Sequence, residues 1–478
     1  MQKKINWSRL LAVGAALTVA ASLIPADAQT PVTITLSGPN QFSSSATTFG
    51  DAWEEMAAQY QKINPGITFK TNVLPIPTFG QTLSTQLQAG SAPELIFNQV
   101  AYKSAQIVAL NKYLNEPNPY APEFPRWIDG FDPNGFNDSQ QDGQGNWNWV
   151  PFNLVSAGLF INEDAFAKAG VKLPLATWQD WRAAMPKLKA AGYVPFGMDN
   201  FEVGIIWTFR SFADQLLDKY FDKWNVFLPN GDAGKGKVLT QKSMVRAIKT
   251  TPNFATLPEM TQTLRLMKET FANATPNWSG IKPTTGAAVN IKDFLAGKSA
   301  MTWAINFAVS DLQEAKPGFK VVSAGWPTVT KATTALSTNT PARFGVAPGG
   351  TSYMIPATTT GEKLKAAVNF LQFITSPKHN QPWLTASAGA SAIKNVKAIP
   401  AINGFGEGAW GETPRVSANN LPYLSPQFQK EYVQIMQGYL LGASSLADTQ
   451  KALGQGWMKA AEYQIGQNPD WKSEAWTK

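Results

Sequence analysis

The sequence predicts an α/β protein of two lobes, and three observations support this. β-branched strands alternate with amphipathic helices over residues 32–97, the order that builds a parallel sheet. About 450 residues follow an apolar N-terminal segment, more than one hydrophobic core usually supports. The stretch 150–188 then joins a buried strand to two further helices in mid-chain. We therefore expect each lobe to contain a sheet flanked by helices.

Residues 1–28 have the pattern of a cleaved signal peptide. Lys3, Lys4 and Arg9 precede an apolar run of 15 residues, and Ala26–Ala28 fits a small-residue cleavage site. That run falls short of the roughly 20 residues that a membrane-spanning helix needs. The chain has no cysteine, which excludes disulfides, Cys-ligated metals and a lipid-modified N-terminal Cys. We expect a periplasmic protein without a lipid anchor, with full secretion as the alternative.

The charge pattern is typical of a solvated surface. The chain carries a net charge of +8, and removing the signal peptide leaves +6. The basic residues form no long run, which argues against nucleic acid as a partner. The 17 tryptophans are enough to fill the cores and still supply rings for a stacking cleft.

The first elements predict a right-handed parallel crossover. Val32–Leu36 is a β-branched strand, Asp51–Ile63 a helix with one apolar face, and Ile67–Val73 the next strand. A helix over Phe79–Gln88 leads to the apolar strand Leu95–Phe97. The loops after these strands, GPNQF and NQVAY, lie at the carboxyl ends of parallel strands, where open α/β sheets bind ligands.

The stretch 150–188 contains the most specific local signals. Val155–Ile161 is an apolar strand, and a short helix after Asn162 ends at Gly170. Thr177 is a plausible N-cap, with Asp180 three residues later as an imperfect capping box. Trp178, Trp181 and Met185 follow at helical spacing, which predicts one buried face.

This order of Pro, strand, Asn, acidic helix, Ala-Gly, Pro and Thr-Trp helix resembles the extracellular solute-binding proteins of ABC sugar importers. These form the maltose-binding-protein-like family. The segment 291–303, with its Gly-Lys-Ser-Ala-Met turn, and the segment 349–376, which begins with two glycines, also resemble the family. Weaker similarity extends from about residue 32 to 460.

The resemblance implies a two-lobed periplasmic-binding-protein fold, in which each lobe is a mixed sheet flanked by helices and hinge crossings join the lobes. We expect crossings near 150–155 and 325–330, flanked by Pro151 and Pro327. The first lobe would then contain 29–153 and 328–376, and the second 154–327 and 377–478.

The implied function is to capture a mono- or oligosaccharide in the cleft and deliver it to the permease of an ABC transporter. We expect a monomer that has no catalytic role, cofactor or metal. The expected ligand contacts are Asn40, Gln41, Gln99, Tyr102, Asn153, Trp207, Trp303, Asn306 and Ser352. Trp207 and Trp303 have a core position as the alternative, and Trp410 is a further candidate for the cleft edge.

Three alternatives remain open at this point. A secreted glycosidase would need only paired carboxylates, although the single histidine, His379, argues against a catalytic triad. A relative that binds a peptide or a polyol phosphate is another possibility. The polar segment 132–148 loosely resembles a calcium loop, but Trp149 replaces its bidentate Glu, so a hairpin turn at Asp142–Gly145 is simpler.

Overall fold

In this computed structural model of the 478-residue chain, the described residues are 31–39, 49–75, 78–133, 135–142, 144–228, 231–284, 287–345, 347–387 and 389–478. The side chains at 139, 347–350 and 419 are not described. The predicted signal peptide lies outside the described residues, and so do two predicted ligand contacts, Asn40 and Gln41.

The described residues form eight strands in two sheets. The strands are β1 (Val32–Pro39), β2 (Ile67–Leu74), β3 (Leu95–Phe97), β4 (Val150–Val155), β5 (Ala157–Asn162), β6 (Met301–Ile305), β7 (Val321–Ala324) and β8 (Ala347–Met354). The first sheet has the order β2-β1-β3-β8-β4, and the second has the order β6-β5-β7. The mixed α/β architecture agrees with the fold class predicted from the sequence.

The first sheet brings the ends of three strands to one edge. β1 is parallel to both β2 and β3, which confirms the parallel pairing predicted for these strands. β8 runs antiparallel to β3 and to β4, so β4 has the same direction as β1 and β3. Their carboxyl ends therefore lie at the same edge, from which β4 continues into the second lobe.

The second sheet is antiparallel, and its central strand β5 is buried on both faces. β5 pairs with β6 and β7, and every residue of β5 is buried. Leu159 and Ile161 belong to one apolar cluster and Phe160 to another, which explains the continuous apolar run in the sequence. Because Ala157 pairs with Ile305, the carboxyl end of β6 lies beside the start of β5.

Fifteen α-helices surround the sheets in the described part of the chain. They are α1 (Asp51–Ile63), α2 (Phe79–Gln88), α3 (Asn111–Leu114), α4 (Glu163–Lys168), α5 (Trp178–Ala190), α6 (Glu202–Leu216), α7 (Phe221–Trp224), α8 (Gln241–Thr250), α9 (Pro258–Phe271), α10 (Ile291–Leu295), α11 (Val309–Ala315), α12 (Gly361–Ile374), α13 (Pro377–Ser387), α14 (Pro426–Leu440) and α15 (Leu446–Gln467). None of them combines the length and apolar character that crossing a bilayer requires.

The predicted start of α5 is confirmed. The Thr177 hydroxyl accepts a hydrogen bond from the Asp180 N–H at 3.3 Å, and the Asp180 carboxylate accepts one from the Thr177 N–H at 2.8 Å. The two residues thus form a complete capping box. Trp178, Trp181 and Met185 are all buried, as the helical spacing predicts.

The chain passes between the lobes three times in the described region. Ser156 links β4 to β5 and forms the first crossing. The second lies between Phe344, which packs in the core of the second lobe, and β8. The third follows Val396, which packs in the first core, and reaches Ala398, which packs against the second lobe.

The second crossing lies later in the chain than the sequence suggested. Residues 328–345, assigned to the first lobe from the sequence, pack with the second. The Val329 N–H donates to the Gln215 side chain of α6 at 2.7 Å, and the Thr328 carbonyl accepts from the Trp178 N–H at 2.9 Å. Val329 and Phe344 belong to the second core. These long-range bonds hold the segment on the second lobe until residue 345.

The lobe boundary predicted at residue 377 also disagrees with the packing of the two cores. Residues 377–396, assigned to the second lobe from the sequence, complete the first. The Trp383 ring lies 4.0 Å from that of Phe152 in β4, measured between centroids. The Leu154 N–H donates to the Ala390 carbonyl at 2.8 Å, which adds a short strand-like contact beside β4. The second lobe therefore resumes only near Ala398.

Candidate functional site

The strand ends on the two sides of the hinge define the candidate site. In the first lobe, Asn98 and Gln99 directly follow β3, and Ser156 follows β4. In the second lobe, Asn306 and Phe307 directly follow β6. Ligands of open α/β sheets bind beyond the carboxyl ends of strands. The facing edges of the two sheets are therefore the place to look for a ligand contact.

Gln99 and Tyr102 lie in the loop after β3, as expected. Gln99 is exposed and Tyr102 is half-buried. Burial raises the pKa of the Tyr102 phenol, and a hydrogen bond with the Asn148 side chain opposes that rise. Ser352 is fully buried in β8, where its carbonyl accepts from the Asn98 N–H at 3.0 Å. Gln99 and Tyr102 thus keep part of their surface exposed, whereas Ser352 supports the loop that carries them.

Asn153 sits at the buried end of the first sheet. It lies opposite Thr351 in the pairing of β4 with β8, and both residues are fully buried. Neither the Asn153 amide nor the Thr351 hydroxyl has a hydrogen-bond partner among the described protein groups. Buried polar groups are normally bonded, so this pair can serve a polar ligand or an ordered water.

Asn306 has a structural role at the first crossing. Its side-chain oxygen accepts from the Ser156 N–H at 3.0 Å, and its own N–H donates to the Ser156 carbonyl at 3.0 Å. Asn306 is fully buried. The side chain predicted to bind sugar instead fixes the chain where it passes between the lobes.

Trp303 lies in the core of the second lobe. None of its surface is exposed, and its ring stacks on Trp326 with 4.9 Å between centroids and 6° between planes. Its Nε1–H donates to the Thr208 hydroxyl at 3.0 Å. Both faces of β6 are covered, which the sequence could not reveal. This packing favours the core alternative for Trp303, and Trp410 is likewise 95% covered.

Trp207 on α6 keeps part of its ring exposed. It meets Phe344 edge-on at 5.3 Å between centroids. One turn further along α6, the Arg210 guanidinium lies 4.0 Å from the centre of the Phe344 ring and donates to the Phe344 carbonyl. Phe344 immediately precedes the second crossing. This contact places the partly exposed face of α6 beside the boundary between the lobes.

Three further polar or aromatic side chains extend this face, and sequence reasoning missed them. Tyr423 is 36% exposed, and burial raises its pKa to about 12, with Glu202 adding to the rise and Arg210 opposing it. The Gln429 side-chain amide donates to the Glu202 carboxylate at 3.0 Å. Helical spacing from Trp207 could have indicated Arg210, but nothing local in the sequence marks Tyr423.

A buried ion pair supports the same face from beneath. The Arg210 Nε lies 3.3 Å from the Asp214 carboxylate, which also accepts from the Ala418 N–H at 2.6 Å. Burial raises the pKa of Asp214 to about 6, and the Arg210 charge opposes that rise. Burial also lowers the pKa of Arg210. The pair therefore fixes α6 to the C-terminal part of the second lobe.

Of the hairpin that the sequence favoured, the described residues show a turn that begins at Asp142, but no strand lies between β3 and β4 to pair across it. The Asp142 N–H donates to the Asn146 carbonyl at 3.0 Å. The Asp142 carboxylate accepts from the side chains of Ser104 at 2.5 Å and Asn148 at 2.8 Å, and from the N–H groups of Gln144 and Asn146. These bonds, despite partial burial, lower its pKa to about 2. Within the described ranges, no three His, Cys, Asp or Glu residues are placed to hold a metal ion.

His379 lies near the start of α13. Its Nδ1 is 2.9 Å from the Ser376 hydroxyl, and its ring stacks on Phe373 with 4.0 Å between centroids. Burial lowers its pKa. The contacts of the only histidine in the chain are those of a packed structural side chain.

The sequence profile of the bacterial extracellular solute-binding proteins matches residues 43–381, more than half of the chain. The chain belongs to this family. Among curated relatives of the solute-binding protein is YcjN of Escherichia coli K12, by name an ABC transporter periplasmic-binding protein. It is 22% identical over 77% of this chain and 76% of its own length. A binding protein of Brucella abortus is 29% identical, but the match spans only 36% of this chain and 41% of that relative.

Solved structures share the fold of the solute-binding protein. RafE from Streptococcus pneumoniae, in its apo form, superposes with a TM-score of 0.64 at 21% identity, covering 90% of this chain and 98% of that one. MsmE from Bacillus subtilis, in an open conformation, gives 0.63 at 17% identity, with 91% and 99% covered. These two-lobed neighbours agree with the architecture predicted from the sequence.

Proposed function

We propose that this solute-binding protein captures a mono- or oligosaccharide between its two lobes and delivers it to the permease of an ABC transporter. Closing of the lobes about the three crossings would bury the sugar and present the closed form to the permease. The observation that carries the proposal is the partly exposed group of Trp207, Arg210, Glu202 and Tyr423 beside the second crossing.

The chemistry of this group suits a sugar. A sugar ring presents C–H groups on its faces and hydroxyls around its edge. The Trp207 and Tyr423 rings offer apolar surfaces, and Glu202 and Arg210 accept and donate hydrogen bonds to hydroxyls. Arg210 is held in place by Phe344 and Asp214, so little side-chain entropy remains to be lost on binding.

Relatives provide independent support for a carbohydrate. Structural neighbours include RafE in complex with raffinose, with a TM-score of 0.60, and a chitin oligosaccharide binding protein, with 0.62. A sugar transporter from Bacillus licheniformis in complex with stachyose gives 0.54. All three named ligands are oligosaccharides, so an oligosaccharide is the first class to test.

The first lobe would supply polar contacts opposite this face. We propose that Gln99 and Tyr102, which are at least partly exposed, bind hydroxyls directly, and that the buried Asn153 amide, which is unpaired among the described groups, binds a hydroxyl deeper in the cleft. Asn40 and Gln41 remain proposals from the sequence. We assign Asn306 and Ser352 to the support of the crossing and the loop, and Trp303 to the core behind Trp207.

The remaining parts of the proposal concern context. We propose export with removal of residues 1–28, a periplasmic location without a lipid anchor, and a monomer with no catalytic activity. The membership of the solute-binding family and the structural packing of His379 support a non-enzymatic role. Incubation with oligosaccharides and analysis for products would detect a glycosidase.

The test is a melting screen of the mature protein against raffinose, stachyose, chitin oligosaccharides and maltodextrins. A ligand at about 100 times its dissociation constant should stabilise the protein by roughly 2.7 kcal/mol. Isothermal titration should then show weaker binding for Trp207→Ala and Tyr423→Ala. Tyr463→Ala is the matched control, because Tyr463 is 42% exposed but lies on α15. Stabilisation by peptides or phosphates and by no sugar would refute the carbohydrate assignment.

A further inference from the structure

A groove of about 1000 Å³ lies on the first lobe, between α12 and the starts of β1 and β2. Val32 and Thr33 of β1 and Ile67 of β2 line it. The ligand edge described above lies at the other end of this sheet, because Leu95 of β3 pairs with Leu36 near the carboxyl end of β1. The eight residues of β1 extend for about 26 Å. This outer groove is therefore separate from the interlobe site.

Gln372 of α12 gives the first indication that the outer groove binds a ligand. The residue lines the groove and is only 8% exposed. Its backbone carbonyl accepts a hydrogen bond from the Asn118 side chain at 2.9 Å, but its side-chain amide has no partner among the described residues. The amide is also not sealed inside the core, so it faces the groove. A mostly buried amide without a partner is unfavourable, and a ligand that donates and accepts hydrogen bonds would satisfy it.

Asn369 presents a second amide one turn earlier on the same helix. Its side-chain oxygen accepts hydrogen bonds from the hydroxyls of Tyr60 at 3.0 Å and Tyr120 at 2.8 Å. These two bonds fix the amide so that its NH2 group is left without an acceptor in the described part of the chain. Asn369 also lines the groove, and helix residues three apart are neighbours on one face. The amides of Asn369 and Gln372 thus converge on one small area.

The charged residues around the outer groove favour a neutral ligand. The lining contains two residues of each sign, so their charges sum to zero: Lys363, Lys365, Glu116 and Glu362. Lys363 is paired with Glu94 at 2.5 Å, and Lys365 with Glu362 at 2.7 Å. The four charged residues of the lining are exposed, so water and salt screen their fields. The described lining therefore offers no strong charge that would select an ion.

The apolar part of the lining suits the faces of a sugar. Tyr113 keeps part of its ring exposed, and Val32, Ile67 and Val368 add apolar surface. A sugar ring presents C–H groups on its faces, which pack on aromatic and aliphatic side chains. It presents hydroxyls around its edge, which pair with amides. The outer groove provides both kinds of partner within one lining.

A peptide fits the outer groove less well. Extended peptides are commonly held by adding a strand to an open sheet edge. β2 is the outermost strand on this side of the first sheet, but the Phe69 N–H already donates to the Gln61 side chain at 2.7 Å. That bond occupies a backbone donor that an added strand would need. After the predicted cleavage, only Gln29 and Thr30 precede Pro31 of the lining, which is too little chain to fill the groove.

We propose that the outer groove binds a neutral oligosaccharide of about two or three rings, a size that follows from a volume at the upper end of small-molecule pockets. Its hydroxyls pair with the amides of Asn369 and Gln372, and one ring packs on Tyr113. The outer groove shares no residue with the proposed interlobe contacts, so this second carbohydrate site goes beyond the capture function and does not depend on it.

The experiment is hydrogen–deuterium exchange of the mature protein, followed by mass spectrometry, with maltotriose, raffinose or triacetylchitotriose at millimolar concentration. We expect at least one of these sugars to slow exchange in peptides that cover 64–67, 111–116 and 361–372. A protein with Trp207→Ala and Tyr423→Ala should keep this protection, because both residues lie on the interlobe face of the second lobe. Failure of the interlobe proposal would therefore leave the result at the outer groove intact.

Two variants and a matched control test the residues assigned to the outer groove. The sugar concentration that gives half-maximal protection measures affinity, and a thermal melt verifies that each variant is folded. Gln372→Met keeps a side chain of similar length without the amide, and should weaken the sugar by about tenfold. Tyr113→Ala removes the ring and should weaken it by about three- to tenfold. Gln427→Met makes the same exchange at an exposed amide on α14 and should leave affinity unchanged.

Protection by none of the three sugars would overturn the proposal, and so would protection that Gln372→Met and Tyr113→Ala both leave unchanged. Loss of the protection at 361–372 in the protein with Trp207→Ala and Tyr423→Ala would trace the effect to the interlobe site and would also overturn it. Tetra-alanine is the peptide probe. Protection of the same segments by tetra-alanine and by no sugar would assign the outer groove to a peptide instead.

Discussion

The substitution Trp303→Ala separates a core tryptophan from a sugar platform. The ring is fully buried and stacks on Trp326 at 4.9 Å, so its removal leaves a large cavity beneath the second sheet. Truncation of a buried Trp costs about 3–5 kcal/mol of unfolding free energy. The lost indole N–H adds little, because the Thr208 hydroxyl still donates to the Gly204 carbonyl at 2.6 Å. Stability should therefore fall by about 3–5 kcal/mol.

Urea denaturation followed by circular dichroism measures this loss, and calorimetric titration with the identified sugar measures affinity on the same variant. We expect Trp303→Ala to have a markedly lower urea midpoint. Under conditions in which this variant is folded, its sugar affinity should be near that of the wild type. Trp207→Ala is the matched control: its ring is partly exposed, so affinity should fall more and stability less. A Trp303→Ala protein of normal stability and weakened sugar binding would refute the core assignment.

Three further substitutions test the hinge and its supports. Burial raises the Asp214 pKa from 3.8 to about 6, so the native state holds the extra proton and stability should decline as pH rises from about 4 to 6. Asp214→Asn should flatten that slope in urea midpoints taken between pH 4 and 7, and parallel curves would contradict it. Asn306→Ala leaves the buried Ser156 N–H unpaired and should lower the unfolding free energy by about 1–3 kcal/mol, whereas an unchanged urea midpoint would contradict the supporting role of Asn306. Asp142→Asn replaces an acceptor whose pKa is lowered to about 2, so its loss of stability should be largest at neutral pH and shrink as pH falls from about 4 to 2; an equal loss at every pH would contradict the carboxylate's role.

Local structure could be predicted from the sequence wherever short-range signals decide it. The capping box at Thr177 and Asp180 and the buried face of Trp178 and Trp181 are formed by residues three or four apart. The bounds of α1, Asp51–Ile63, follow from periodicity and from the turn after it. The parallel pairing of β1 with β2 could be predicted from the strand–helix–strand order of this part of the chain.

The assignment of segments to lobes could not be predicted from such short-range signals. Residues 328–345 stay on the second lobe because Val329 bonds to Gln215, more than a hundred residues earlier in the chain. Trp383 joins the first core through Phe152, which is even more distant in sequence. A crossing is thus decided by which core a segment reaches, and a flanking proline carries no information about that choice.

The candidate site, too, could be predicted only where local sequence signals decide its structure. Trp207 and Trp303 lie in similarly apolar stretches of the sequence. Only the packing of Trp326 and Phe344 around them shows that Trp207 is partly exposed and Trp303 is buried. Tyr423 comes to the site from a distant segment, so no local pattern marks it. The position of Gln99 just after β3, in contrast, could be predicted from the short apolar run Leu95–Phe97, and its contact with a ligand stays a prediction.

Small-angle scattering of the mature protein, with and without the sugar found in the melting screen, tests the central claim most directly. Capture between two lobes that move about three crossings predicts that the sugar-bound form has a smaller radius of gyration while each lobe keeps its shape. An unchanged radius at saturating sugar, with binding verified by calorimetry in the same buffer, would contradict capture by closure of the lobes.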